Sequence, residues 1–296
     1  MIQLLQFGTS GQVARAMVAA AGERVRLTAL SRADCNLEQP GAVARALSNS
    51  PQPDIVVNAA AYTAVDKAEK EPSLAFRLNC EAVREMAQVC AARNIPLIHI
   101  STDYVFDGQK DGPYREDDAA NPLNVYGKSK LAGEIILRET WDAHVILRTS
   151  WVYSPWGTNF VRTMLRLGME RDELRIVCDQ VGSPTSALQI ADAILTVATT
   201  LCGAYPADHY GTFHLAADGM TSWAGFAERI FAGVADWLPV KARIVPIAAS
   251  EYPSPTKRPK NSRLDCSKLR AGFGITSGPW ENALSAVLEE IKRGAT

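Results

Sequence analysis

Tyr126 and Lys130 stand four residues apart in the run Tyr126-Gly127-Lys128-Ser129-Lys130, a spacing that stacks both side chains on one face of a helix. A free phenol titrates at about pH 10 and exchanges protons poorly at neutrality. A neighbouring ammonium favours the phenolate, lowers that pKa and makes proton exchange with a carbonyl oxygen feasible. Ser101-Thr102-Asp103 follows the apolar run Pro96–Ile100, and Thr102 can hydrogen-bond the same carbonyl oxygen as Tyr126. Hydroxyls that merely cap a turn would look the same at this stage. Asn58-Ala59-Ala60-Ala61-Tyr62-Thr63 is a third cluster, with small residues against which a flat cofactor can lie.

A phosphate-binding turn is the natural companion of such a set. Gly8-Thr9-Ser10-Gly11-Gln12-Val13-Ala14 follows the apolar run Ile2–Phe7. Its glycines let backbone N–H groups approach a pyrophosphate, and small Ala14 permits close helix–strand packing. The spacing is G-x-x-G-x-x-A, and a glycine turn also ends many strands that bind nothing. The next apolar run closes at Leu30-Ser31-Arg32, with no acidic residue there to accept from a ribose 2′-OH; Asp34 comes slightly later. The Arg32 guanidinium suits the extra 2′-phosphate of NADP, or it is a solvated surface side chain. NADPH is the expected cofactor, with NADH as the other possibility.

The elements that must position these residues alternate strictly in the first half. Ile2–Phe7, Val25–Leu30, Asp54–Asn58, Pro96–Ile100 and His144–Leu147 read as strands. Helical stretches fall at Gln12–Ala21, Ala42–Leu47, Pro72–Arg93 and Pro122–Thr140. Such alternation implies right-handed crossovers and a doubly wound, parallel-sheet α/β fold of Rossmann type, whose ligands sit beyond the strands' C-terminal ends. Beyond Trp151 the rhythm weakens. Helices are expected at Phe160–Glu170, Ala187–Leu201, Trp223–Val234 and Trp280–Lys292, apolar strand-like runs at Leu174–Val177 and Phe213–Leu215, and a loop from Pro239 to Pro259. The expected organisation is a dinucleotide-binding domain over 1–150, with 172–201 returning to it, and a smaller α/β substrate lobe over 151–296.

Composition removes other classes. The chain has 296 residues, 47% hydrophobic, with 31 basic and 32 acidic side chains, which is ordinary for a folded globule. A formal net charge of −1 gives no general grip on nucleic acid or anionic lipid. The six cysteines are scattered without a C-x-x-C, which argues against a zinc site or a disulfide framework. No window resembles a signal peptide or a membrane span, so a cytoplasmic location is expected. There is no G-x-S-x-G elbow. His99 and His144 fall in or beside apolar strands and read as core histidines. Asp66, Glu69 and Glu71 read as a solvated, dipole-compensating helix start. Lys257-Arg258-Pro259-Lys260 with Arg263 suits a diphosphate, or is an ordinary solvated loop.

Taken together, these residues resemble the extended short-chain dehydrogenase/reductases and, within them, the dTDP-4-dehydrorhamnose reductase family. The likeness is carried by Gly8–Val13, Val57–Asp66 (VNAAAYTAVD), Ser101–Phe106 (STDYVF) and Pro122–Glu134 (PLNVYGKSKLAGE), and continues through Arg148–Tyr153 (RTSWVY), Asp179–Thr185 (DQVGSPT) and Arg258–Leu264 (RPKNSRL). The resemblance implies Thr102, Tyr126 and Lys130 as catalytic residues. It implies cofactor contacts at Gly8, Ser10, Gly11, Gln12 and Val13 and along Ala59, Ala60, Ala61 and Thr63, joined by Asn58, Ser31, Arg32, Tyr126 and Lys130. Contacts to a dTDP-4-keto-6-deoxy sugar are implied at Val65, Asp103, Trp151, Asn159 and Arg258, besides Thr102 and Tyr126. Where many relatives carry Asp-Leu after the second strand, this chain has Asn36-Leu37. Carboxylates that hold a dimer-bridging Mg²⁺ in some relatives correspond to Ala16 and Leu188 here, so no metal site is expected, and a monomer or weak homodimer. A related nucleotide-sugar 4-ketoreductase is the neighbouring alternative. A non-catalytic subunit, like the regulatory beta subunit of methionine adenosyltransferase, is the alternative of another class.

Overall fold

The computed structural model describes residues 1–22, 25–50, 52–203 and 209–295. Five short apolar segments form the parallel strands β1 (Ile2–Phe7), β2 (Val25–Leu30), β3 (Ile55–Asn58), β4 (Leu97–Thr102) and β5 (His144–Thr149). β3 and β5 are buried at every position, as strands covered on both faces must be. The sheet runs β2-β1-β3-β4-β5 and ends on a sixth parallel strand, Gly211–His214, paired to β5. Chain order reverses between β1 and β3, which opens a crevice at their C-terminal ends.

Helices cover both faces. Gln12–Ala20 and Ala187–Leu201 pack on one side through Val13, Met17, Ile190, Ile194 and Val197. Ala42–Ser48, Ala82–Arg93 and Val125–Thr140 cover the other, where Val43, Leu47, Met86 and Leu137 are buried. A separate core lies between helices Phe160–Glu170, Trp223–Val234 and Trp280–Ala295. The parallel pair Glu173–Val177 and Arg243–Ile247 joins it through Leu174, Ile176 and Ile244. Within 172–201, then, the helix packs on the main sheet while the strand pairs in the smaller lobe.

Several elements depart from expectation. The stretch Pro72–Arg93 is not one α-helix: a π turn at Arg77–Glu81 separates Pro72–Phe76 from Ala82–Arg93. The helix expected from Pro122 begins at Val125, because Asn124 caps it, its Oδ1 accepting from the Gly127 N–H at 2.8 Å. The proline-rich loop contains the strand Arg243–Ile247, with Pro246 exposed. Proline is tolerated where its missing N–H faces no second neighbour. The helix Ser267–Phe273 carried no periodic signal. Among the described residues no helix is long and apolar enough to cross a membrane.

Candidate active site

The crevice at the β1/β3 reversal opens into a cavity of about 760 Å³. Gly8 forms its floor at φ +100°, and a Cβ there would lie 3.3 Å from Ala59 and from Ala60. Only glycine takes that backbone angle without strain, so the first turn and the Ala59–Ala60 backbone are pressed together. Helix Gln12–Ala20 starts at Gly11 with no side-chain cap, which leaves its N–H groups and dipole facing the cavity for an anion. Gln12 reaches across to the smaller lobe, donating to the Val152 carbonyl at 3.3 Å and accepting from the Ser154 hydroxyl at 2.9 Å.

At the β2 end, Ser31 and Arg32 line the cavity. The Asp34 carboxylate turns back on Ser31, accepting from its hydroxyl at 2.6 Å and its N–H at 2.8 Å, and these bonds hold its pKa below the usual value. Arg32 makes an exposed ion pair with Glu38 at 2.7 Å, a contact worth little to the fold and readily exchanged for another anion.

The opposite wall is the C-terminal end of β4 and the start of helix Val125–Thr140. Tyr126 and Lys130 share a face of that helix, and both line the cavity with Thr102, Asp103 and Trp151. The Thr102 hydroxyl lies beside the Tyr126 phenol. Thr102 also donates to Asp103 Oδ1 at 3.1 Å and accepts from the Tyr104 N–H at 3.2 Å. Burial pushes the Asp103 carboxyl up to about 6, against the Thr102 hydrogen bond and the nearby Ser262 hydroxyl.

The pairing of Lys130 with Tyr126 differs from expectation. Burial pushes the Tyr126 phenol above its usual range, the Thr102 hydroxyl beside it pulls it back, and the Asp103 charge pushes it further up. Lys130 Nζ donates to the Ile100 carbonyl at 2.7 Å and lies 3.1 Å from His99 Nε2. Burial lowers Lys130 to about 8, with Glu134 opposing. Tyr126 is therefore a protonated phenol at neutral pH, which is the form a proton donor needs.

Three carboxylates read as solvent-facing brace the site instead. Glu69 accepts from the Val125 N–H at 2.8 Å, at the positive end of the Tyr126 helix. Glu71 accepts from the Tyr62 hydroxyl at 2.6 Å. Both Asp66 oxygens accept from Arg258 at 3.0 Å. Sequence spacing could not show this, since each partner lies on another element.

Residues 2–293 match the family model described as RmlD substrate binding domain. The dTDP-4-dehydrorhamnose reductase of Sinorhizobium fredii is 45% identical over 282 residues, 95% of each chain. The chain belongs to the dTDP-4-dehydrorhamnose reductase family. A solved dTDP-4-dehydrorhamnose reductase from Clostridium acetobutylicum superposes with a TM-score of 0.91 at 34% identity, covering 98% of this chain and 100% of that one. The Bacillus anthracis reductase, solved in complex with NADP, gives 0.90 at 33% identity, with 98% and 99% covered.

The remaining residues that the resemblance implies fall around a second cavity of about 1830 Å³ that shares Thr63, Val65, Tyr104, Phe160 and Trp223 with the first. Val65, Asn159 and Arg258 line it, beside Lys257, Lys260 and Arg263. Asn159 caps helix Phe160–Glu170 and spends both amide hydrogens on the Ser154 and Trp156 carbonyls. Trp151, at φ +49°, stacks on Trp223 with centroids 3.6 Å apart.

Sequence reasoning missed three residues at or behind these cavities. Asn79, in the π turn, clamps the Tyr62 backbone at 2.8 and 3.0 Å and donates to Ser129 Oγ at 3.0 Å. A π turn inside a helix often marks such a site, but no local pattern announced this one. Trp223 starts a helix of the smaller lobe, and only the fold brings it to Trp151. Thr149, at the end of β5, lines the first cavity with its buried hydroxyl unpartnered among the described residues.

Proposed function

We propose that this chain reduces the C4 ketone of dTDP-6-deoxy-L-lyxo-4-hexulose to dTDP-L-rhamnose with NADPH. The observation that carries the reading is the Thr102–Tyr126 hydroxyl pair, set in one cavity with the Gly8 turn and an uncapped helix N-terminus. The pressed Gly8–Ala59 contact and the open helix end fit a dinucleotide diphosphate, and Arg32 fits a 2′-phosphate. The relatives' names, and the NADP held by the Bacillus anthracis reductase, support the same reading.

When bound, NADPH supplies the hydride. Gly8, Ser10, Gly11, Gln12 and Val13 would hold its phosphates, Ser31 and Arg32 its adenosine end, and Asn58 to Ala61 with Thr63 its flat face. Lys130, on the same cavity wall as Tyr126, would hold the cofactor's ribose. Thr102 donates to the C4 oxygen and fixes the ketone, and Tyr126 gives its phenolic proton to that oxygen as negative charge develops there. Transfer from a phenol whose ionisation burial disfavours is driven by the far greater basicity of the nascent alkoxide. Asp103 and Trp151 bound the sugar, with Val65 and Asn159 behind them, and Arg258 with its basic neighbours takes the diphosphate. In this reading residues 1–150 with Ala187–Leu201 bind dinucleotide, and 151–296 mainly bind sugar. The unpaired cysteines fit a reducing, cytoplasmic compartment.

The test is a coupled assay that supplies the 4-keto sugar and follows nicotinamide absorbance. NADPH oxidation that depends on the sugar and outpaces NADH oxidation is expected. Absence of oxidation with both cofactors contradicts the reading.

A further inference from the structure

One polar side chain stands in the buried half of strand β1. Gln6, between Leu5 and Phe7, is 0% exposed and shares with Leu4 the face that helix Gln12–Ala20 covers. It sits behind the phosphate-binding turn and lines neither cavity. Its Nε2 donates twice, to the Gly8 carbonyl at 2.8 Å and to the Ala14 carbonyl at 3.2 Å. Two carbonyl acceptors settle which end of the amide faces them. Oε1 is then buried with no partner among the described residues, and such an acceptor costs stability. An apolar side chain of the same length would spare the fold that cost, so the amide is explained by what it holds.

It holds the peptide between Gly8 and Thr9. Glycine at φ +100° leaves a neighbouring peptide free to rotate unless both sides are bonded. On one side the Gly8 N–H donates to the Leu30 carbonyl of β2 at 2.9 Å. On the other, Gln6 is the donor to the Gly8 carbonyl, and no second donor reaches it among the described residues. In a trans peptide the N–H points opposite to the C=O. A Gly8 carbonyl drawn back toward Gln6 therefore turns the Thr9 N–H the other way, to the side where Thr9, Ser10 and Gly11 line the cavity. None of these three N–H groups donates to a described residue. The Ala14 bond ties the same amide to the first turn of the helix, so turn and helix start are held as one unit. Without Gln6, the Gly8 oxygen is free to swing toward a bound anion and repel it.

We propose that Gln6 is a positioning residue for dinucleotide binding: from behind the turn, its side-chain amide draws the Gly8 and Ala14 carbonyls inward and so keeps the turn's N–H groups facing a diphosphate. The proposal rests on the reading above that this turn takes the diphosphate of NADPH. Gln6 lines no cavity, so its effect falls on cofactor affinity and not on the chemical step. The open face of the turn thus has a buried brace at its back.

Gln6→Met and Gln6→Leu each remove the donor and the orphaned acceptor together at similar volume. Binding is read without turnover, by titrating NADPH fluorescence. Both variants are expected to bind NADPH about tenfold more weakly, with the melting temperature kept within about 3 °C. Affinity for adenosine 2′-phosphate, which lacks the diphosphate, should be unmoved, and kcat at saturating NADPH should stay. Unchanged NADPH affinity in the folded variants overturns the proposal. An equal loss for both ligands also overturns it, since the damage then spreads across the pocket. Failure of both variants to fold, or a far larger fall in melting temperature, assigns Gln6 to the fold and overturns it too. Unaltered protein that binds no NADPH removes the reductase reading and this proposal with it. Tight binding by the unaltered protein and by both variants leaves that reading standing and removes the proposal alone.

Discussion

At the β1–β2 edge of the cavity, Gly8, Gly11, Ser31 and Arg32 present backbone groups and solvent-facing side chains. At the β4–β5 edge, Thr102, Asp103 and Lys130 are buried and interlocked with further buried groups. The Arg32–Glu38 pair is exposed, with 74% of the arginine side chain open. Glu134 and Arg148, by contrast, pair at 2.6 Å with 0% and 4% exposure, and Ser101 donates to the same carboxylate at 2.6 Å. Burial raises the Glu134 pKa, but the Arg148 hydrogen bond and charge outweigh it and hold the carboxyl below its usual value. A diphosphate needs only backbone donors and one exchangeable cation, so its edge can stay open. Proton transfer needs a fixed distance between two hydroxyls, and only a buried lattice of partners holds side chains that tightly.

The contrast is broken most severely at the chemistry. Tyr126→Phe keeps the ring and loses the proton, so kcat should fall by about 10²–10⁴ with NADPH affinity unchanged by titration. Glu134→Gln strips one partner from a buried ion pair and should cost about 3–5 kcal/mol in urea unfolding, although Glu134 touches neither cavity. Asp103→Asn should separate function from stability. The folded carboxyl titrates at about 6 against a usual 3.8, so between these values the folded state holds the proton more tightly. Its stability contribution is present at low pH and lost as pH rises through 6. Removing the charge should then stabilise the protein at pH 8 by about 1–3 kcal/mol while lowering turnover, as read by thermal melts and the coupled assay. Gly8→Ala should cost about 1–3 kcal/mol from its φ of +100° and raise the NADPH KM. Arg32→Ala sharpens the comparison from the open side: the NADPH KM should rise about tenfold, about 1.4 kcal/mol, with NADH kinetics and melting temperature unmoved.

The open edge was the more legible one in sequence. The Gly8–Ala14 turn is local, and its chemistry follows from residue type and position after a strand. The same holds for the alternation of β1 to β5 with their helices, because each covers its own apolar face. The buried edge was legible only in part. Tyr126 and Lys130 declare a shared helical face, but Lys130 turning to His99 depends on β4 packing beneath that helix. The Asn79 clamp, the Glu69 cap on Val125 and the Asp66–Arg258 link join positions 17 to 192 residues apart. No window of sequence contains both partners. In the smaller lobe the strand Arg243–Ile247 hid behind Pro246, since proline argues against a strand unless an edge is known to be available.

The account stands on a single reacting oxygen touched by two hydroxyls. A crystal structure of the enzyme with NADP and dTDP-L-rhamnose measures this directly. The C4 oxygen is expected at about 2.6–3.2 Å from both Tyr126 Oη and Thr102 Oγ1. A sugar whose C4 oxygen reaches neither hydroxyl, or is held by other side chains, contradicts it.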